Sequence, residues 1–340
     1  MLEIPLSLNA AAAIARKGGW PVGGTVMLAR SDDPRDALAA SGLAGQLDAP
    51  ILITDRNSLS SKTAQELARL KPMKVYILGG TGAIKTNVEN QVKAAVTRAG
   101  APAPAVERVS GATACLTSAA IMKKGSDLGY KWSDTALIAT QEKKPKPDKN
   151  GNPQYKFEDA LAVSPLAYAL HMPIALATNS KTIDQGVINQ LKASGIKKVY
   201  LVGGPVVLGK DIVNKLRANG LEVCGEGMNT ETYNGEKLRL LAGLNSVSTS
   251  VNVAKFGLSQ GLSASTVGVA TNQNFPDALA GGPMCGRNRG VLVLIDNAGN
   301  SSIRNFVAVH AAEIEQGFAF GGSYVVTDKT FAALENATKG

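Results

Sequence analysis

The sequence predicts an α/β protein of three tandem modules, each with its own parallel sheet, and three observations carry that prediction. One stretch occurs three times, as DDPRDALAASGLAGQLDAPILIT (32–54), YKFEDALAVSPLAYALHMPIALAT (155–178) and QNFPDALAGGPMCGRNRGVLVLID (273–296). Each copy is followed at constant distance by a strand-like run ending in Gly-Gly: 43 residues separate Asp36 from Gly79, and 44 separate Asp159 from Gly203 and Asp277 from Gly321. A fixed period of this kind marks a repeated supersecondary unit. Within each copy, short β-rich runs alternate with helix-length amphipathic segments, the pattern of βα units feeding a parallel sheet.

Copy one predicts its elements in order. The alanine-rich NAAAAIARKG (9–18) reads as a helix and Thr25–Ala29 as a strand. A helix starts at Asp36, a strand follows at Pro50–Thr54, and a helix covers Ser60–Leu70. Lys74–Leu78 is the strand before the Gly-Gly turn, and a further helix covers about Lys85–Arg98. Runs such as PILIT, VYIL and VLVLI are almost continuously apolar, as expected of strands covered on both faces. The strand-like AVERVSG (105–111) leads into copy two. LLAGLNSVSTSVNVAKFG (240–257) parallels VSGATACLTSAAIMKKG (109–125), so copy three starts near Lys237. The expected domains are 1–107, lacking the lead segment equivalent to 108–114, then 108–236, then 237–340. GEGMNTETYNGE (225–236) reads as a linker, and QEKKPKPDKNGNPQYK (141–156) as a basic insertion peculiar to copy two. Both ends of the chain are expected to continue into a longer protein.

Composition narrows the function classes. The net charge is +9, which favours anionic partners. It is spread as +3, +5 and +1 over 1–107, 108–237 and 238–340, with no extreme basic tail, and the aromatic residues do not interleave with basic ones as stacking platforms would. Nucleic acid is therefore not the expected partner. No apolar run approaches the roughly 20 residues of a membrane helix. Arg16 and Lys17 follow the apolar part of the N-terminal stretch, the reverse of a secretory signal. Cys115, Cys224 and Cys285 are widely spaced and read as buried small hydrophobes, with neither a disulfide framework nor a metal site expected. The two histidines, His171 read as packed and His310 as helical, do not supply a zinc amidase cluster, and no HExxH or GxSxG motif occurs. No cofactor or catalysis is expected.

Two motifs have both a structural and a functional reading. Asp36, Asp159 and Asp277 can cap a helix and complement its dipole, or line a site at the carboxyl ends of strands. Gly79-Gly80, Gly203-Gly204 and Gly321-Gly322 can make tight strand-to-helix turns, or offer amides to an anion. No copy completes a GxGxxG fingerprint. The cluster Lys143, Lys144, Lys146, Lys149 and Lys156 reads as a solvated loop or as fringe contact to a polyanion.

The succession of FPDAL, an APILLT-like strand, VYILGG with a helix, and a strand closing on RVSG resembles the cell wall binding repeat 2 family. The resemblance covers almost the whole chain. It implies Rossmann-like modules packed around a pseudo-threefold axis, at the cell wall surface of a Gram-positive bacterium. It also implies non-covalent anchoring to an anionic polysaccharide or teichoic-acid-like polymer, beside a separate effector domain. The family's Ile-Leu-Leu tripeptide is matched by Ile51-Leu52-Ile53, Ile174-Ala175-Leu176 and Leu292-Val293-Leu294. FPDAL is whole only in copy three; copy one has Arg35 in place of the proline and copy two Glu158. An Asp-Arg-Tyr-like segment of the family is replaced by ATACLTS (112–118) and LNSVSTS (244–250). The candidate polymer contacts are therefore Arg35, Asp36, Ile51, Leu52, Ile53, Gly79, Gly80, Asp159, Gly203, Gly204, Asp277, Leu292, Val293, Leu294, Gly321 and Gly322. The alternatives are a small phosphorylated ligand at a Gly-Gly turn, best at GGTG in copy one, and a scaffold that binds neither.

Overall fold

The computed structural model describes residues 2–4, 7–144, 156–224, 231–233, 236–238, 241–273, 275–296, 301–323 and 325–338. The chain opens with β1 (Leu2–Ile4) and α1 (Ser7–Lys17). The first module continues through β2 (Thr25–Arg30), α2 (Ala40–Gln46), β3 (Ile51–Thr54), α3 (Ser61–Leu70), β4 (Lys74–Leu78), α4 (Thr86–Arg98) and β5 (Ala105–Val109). The second runs α5 (Ala114–Asp127), β6 (Thr135–Thr140), α6 (Glu158–Ala162), α7 (Ser164–Leu170), β7 (Ile174–Ala177), α8 (Gln185–Ala193), β8 (Lys198–Leu201), α9 (Lys210–Ala218) and β9 (Glu222–Cys224). An antiparallel hairpin, β10 (Glu231–Tyr233) and β11 (Glu236–Leu238), stands within the expected linker. The third module comprises α10 (Ser246–Ser259), β12 (Thr266–Thr271), α11 (Pro276–Arg287), β13 (Val291–Ile295), β14 (Gln316–Phe320) and α12 (Asp328–Thr338). Between β13 and β14, where α3 and α8 stand in the other modules, a π-helical turn (Ile303–Val307) and a short 3-10 turn (Ala311–Glu313) take the helix's place.

Each module carries one four-stranded, wholly parallel sheet, in the orders β3-β2-β4-β5, β7-β6-β8-β9 and β13-β12-β14-β1. The last order departs from the expectation that copy one lacks a lead segment. Leu2–Ile4 is a strand, and it pairs with β14 as Leu2 to Phe318 and Ile4 to Phe320. It fills in the third sheet the place that β5 and β9 fill in the first two. The beginning of the chain thus completes the end of it, and the modules close into a ring.

The second helix of each module builds the axis of that ring. Helices α2, α7 and α11 pack on one another, and α2, α6 and α11 also pack on the first helix of the next module, respectively α5, α10 and α1. Small residues allow this approach. A Cβ on Gly286 would lie 2.6 Å from the Pro165 carbonyl, and one on Gly45 would collide with that of Tyr168. Ser41 and Ser164 share a buried 2.5 Å hydrogen bond across the α2–α7 contact. At one end of the axis, residues from all three modules form a polar network. Trp20 Nε1 donates to Tyr168 Oη (3.2 Å), which donates to Asp48 Oδ1 (3.0 Å). Arg287 grips both oxygens of Asp48 (2.6 and 3.0 Å) and donates to the Gly18 carbonyl (2.8 Å).

The core is continuous through the three modules, and its inner strands are almost wholly apolar, whereas the edge strand β5 carries Glu107 and Arg108. Cys115, Cys224 and Cys285 are free thiols within it. His171 departs from its reading as a packed residue: it is exposed, and its left-handed backbone (φ +52°) ends α7. His310 is buried in the turn after Val307 rather than in an α-helix, and its Nδ1 lies 2.8 Å from Glu313 Oε1. No helix among the described residues is long and apolar enough to cross a membrane.

Candidate functional site

The constant spacing of Asp and Gly-Gly has a geometric meaning. The aspartate loop follows β2, β6 or β12, and the Gly-Gly turn follows β4, β8 or β14, its neighbour in the sheet. From the middle strand the chain first moves to one side and then crosses to the other, so the two landmarks meet at a topological switch point, at the strands' carboxyl ends. In open parallel sheets that crevice is where ligands bind. A Cβ on Gly79 would lie 2.6 Å from Asp36 Oδ2, one on Gly203 2.6 Å from Asp159 Oδ2, and one on Gly321 3.1 Å from Asp277 Oδ2. These glycines have φ of +91°, +111° and +122°, a region that excludes most side chains. Both the backbone and the carboxylate therefore require glycine.

The second glycine differs. A Cβ on Gly80 or Gly204 would meet nothing within 4 Å, so these two face open space, whereas Gly322 is buried.

The aspartates are not helix caps. No side-chain cap is made at α2, α6 or α11; Asp36 lies in the turn before α2, and Asp159 and Asp277 lie in the first turns of α6 and α11. The carboxylates turn instead towards the Gly-Gly strand ends, where they are desolvated. Burial pushes the Asp36 carboxyl above the usual carboxylate range, offset in part by a hydrogen bond with Thr117 of the next module. Burial, with Glu158 alongside, pushes Asp159 up to about 7 against the pull of Lys156. The Asp159 residue keeps some exposed surface although its carboxyl is enclosed; Asp277 has none.

The Ile-Leu-Leu-like tripeptides lie elsewhere than expected of contact residues. Ile51, Leu52 and Ile53, Ile174, Ala175 and Leu176, and Leu292, Val293 and Leu294 are all buried. They form edge strands, but α1, α5 and α10 lie across those edges. A Thr-Ser pair that sequence reasoning passed over makes this cover. Ser118 Oγ accepts from Leu176 N (3.2 Å) and donates to the Cys115 carbonyl; Ser250 Oγ accepts from Leu294 N (2.8 Å) and donates to that of Val247. The hydroxyl supplies the partner that an edge amide otherwise lacks. The neighbouring Thr117 and Thr249 accept from Gly111 N and Gly243 N (3.0 and 2.9 Å), fixing the turn into each module. The signal was in the sequence, since CLTSAA and VSTSVN align with the alanines Ala10 and Ala11 of copy one.

Several cations near these junctions are already neutralised. Arg35 is held by Asp33 (2.6 Å). Arg108 bonds Glu89 (2.7 Å) and the Gly79 carbonyl (3.3 Å). In the basic insertion, Lys144 pairs with Glu158 (2.6 Å) and Lys156 with Glu142, while Lys146 and Lys149 lie outside the described residues. Among the described residues no group of His, Cys, Asp and Glu is arranged to hold a metal.

The model of the family Cell wall binding domain 2 (CWB2) matches residues 8–89, 108–213 and 241–331. The chain belongs to the CWB2 family. Each matched stretch takes in one Asp and Gly-Gly junction, so the three junctions described above are CWB2 junctions. Over 316 residues the chain is 25% identical to the N-acetylmuramoyl-L-alanine amidase LytC of Bacillus subtilis (strain 168), covering 93% of this chain and 54% of that protein. Over 206 residues it is 28% identical to the amidase enhancer of the same organism, covering 61% of this chain and 24% of that one. The solved structures of Cwp6 and Cwp8 from Clostridium difficile superpose with TM-scores of 0.76 and 0.72, each at 22% identity and over 99% of this chain, but over only 47% and 51% of theirs. These share the three-module α/β fold. The chain spans about half the length of LytC and of the two Cwp proteins.

Proposed function

We propose that the chain is a non-catalytic anchoring region that holds an anionic glycopolymer of a Gram-positive cell wall at its CWB2 module seams. The observation that carries this reading is the repetition of one junction at three seams of a closed ring in a chain of net charge +9. Equivalent weak sites on one rigid body raise one another's effective concentration, so retention needs no tight single contact. The seams are not equal. At the first two, Gly80 and Gly204 face open space and Asp36 and Asp159 keep some surface; at the third, Gly322 and Asp277 are buried. The first two seams, in the more basic part of the chain, are the ones we assign to the polymer. Aspartates that tend towards the neutral form suit sugar hydroxyls, leaving the polymer's charge to exposed lysines and arginines. The chain spans about half of the amidase it matches, and we read it as an anchor working beside an effector domain on the cell surface.

A small phosphorylated ligand at the Gly-Gly turns is the weaker reading, because each first glycine is closed off by an aspartate and no copy completes a GxGxxG fingerprint. Titrating the protein with purified wall polymer at ~50 mM and ~500 mM salt tests the proposal: the screening length of exposed charges falls from about 14 Å to about 4 Å over this range, so affinity should drop several-fold. Absence of binding at low salt to any anionic wall polymer contradicts it.

A further inference from the structure

Away from the seams, α1 and α3 of the first module leave an open groove of about 290 Å³ lined by Ala12, Ala13, Arg16, Lys62 and Gln65. Two alanines make the α1 wall low, two cations and an amide project from its rim, and no acid lines it. The adjoining carboxylate of α3, Glu66, is fully buried and is held by two bonds from Arg69 (2.9 and 2.5 Å). Arg16 reaches it through a single 3.3 Å contact and keeps 63% of its side chain exposed. Its guanidinium therefore has donors to offer outward, beside the exposed ammonium of Lys62.

Among the described residues, the sister modules do not repeat this groove. At the matching place in the second module, Gly186 stands for Lys62, and Leu116 packs over it, 2.8 Å from where a Cβ would be. Lys123, which stands for Arg16, is tied to Asp127 by two bonds (2.8 and 2.7 Å). Among the described residues of the third module, a π-helical turn packed on α12, not an α-helix, follows β13. An arrangement absent from the sister modules is not demanded by the shared fold, and it gathers unspent positive charge on a surface that the ring leaves open.

We propose that this groove takes one anionic unit of the wall polymer, with Arg16 and Lys62 on its phosphate or carboxylate and Gln65 on an adjoining sugar hydroxyl. A guanidinium offers such an oxyanion paired donors, and an ammonium adds a point charge. The proposal rests on the wall-anchoring reading and adds to it a contact outside the seams.

The test uses the full chain and two probes, a poly(glycerol phosphate) polymer and a carboxylate-bearing wall polysaccharide, with affinity measured at low salt. The pair Arg16→Gln and Lys62→Gln should weaken binding to the retained probe about fivefold to tenfold, which is on the order of 1 kcal/mol. The pair Lys192→Gln and Lys197→Gln, with the same loss of charge on exposed positions of the second module away from its seam, should stay within about twofold of wild type, as expected for screened remote charge. Gln65→Glu, which removes no cation, should weaken binding in the same direction. Which probe responds distinguishes phosphate from carboxylate. Equal behaviour of the Arg16/Lys62 and Lys192/Lys197 pairs, with wild type bound, overturns the groove and leaves the anchoring reading standing. Failure of wild type to bind either probe overturns both.

Discussion

Asp159 has a carboxyl enclosed at the end of a strand, where burial outweighs the pull of Lys156, and its pKa of about 7 makes it a source of pH dependence. The folded chain binds a proton there that the unfolded chain releases near the ordinary value of 3.8. Stability therefore falls as pH rises from about 4 to about 7, and the penalty is fully present above that. Asp159→Asn is expected to raise stability at pH 8 by on the order of 2 kcal/mol and to change little at pH 4. Urea denaturation at both values measures it. The Gly-Gly turns give a second contrast. Gly79→Ala puts a Cβ against Asp36 in a left-handed backbone and should cost about 2–4 kcal/mol, whereas Gly80→Ala, in open space, should stay within about 0.5 kcal/mol.

The helices carry information of a different kind. That Asp-Ala-Leu-Ala recurs was plain from the sequence; that α2, α7 and α11 meet at one axis was not. Small residues at Gly45 and Gly286 read equally well as weak helix formers or as contact points, and only the partner carbonyls of Tyr168 and Pro165 decide between them. Gly286→Leu should accordingly cost several times the ~1 kcal/mol gain that helix propensity alone predicts, and with the opposite sign. Thermal unfolding of the full chain distinguishes the two. Strands were legible because doubly covered strands are apolar throughout, yet the same apolarity hid the Ile-Leu-Leu-like tripeptides' role. Burial under a covering helix and exposure to a ligand look alike in a run such as Ile51-Leu52-Ile53. The spacing of Asp36 and Gly79 was legible as a number. Its meaning as a contact needed the sheet order, which places β2 beside β4.

At the scale of the whole molecule, ring closure couples the modules. Each first helix serves two of them, β1 completes the third sheet, and the Trp20, Tyr168, Asp48 and Arg287 network joins all three. Unfolding should therefore be a single cooperative transition rather than three, with calorimetric and van't Hoff enthalpies in agreement. Arg287→Ala should lower the midpoint by an amount equivalent to about 1–2 kcal/mol. The Asp48 carboxyl is lowered by its bonds with Arg287, so that contribution is present above the ordinary carboxylate pKa and disappears as pH falls through the lowered one. The difference between variant and wild type should shrink accordingly in acid. If the first two seams hold the polymer as proposed, the ring keeps them on one body at constant separation, which lets weak contacts add.

The most direct test is co-sedimentation of the full chain with Gram-positive walls, intact or stripped of their anionic polymer, at low salt. Retention on intact walls and its loss on stripped ones is the result expected; equal retention on both, or none on either, contradicts anchoring through the polymer.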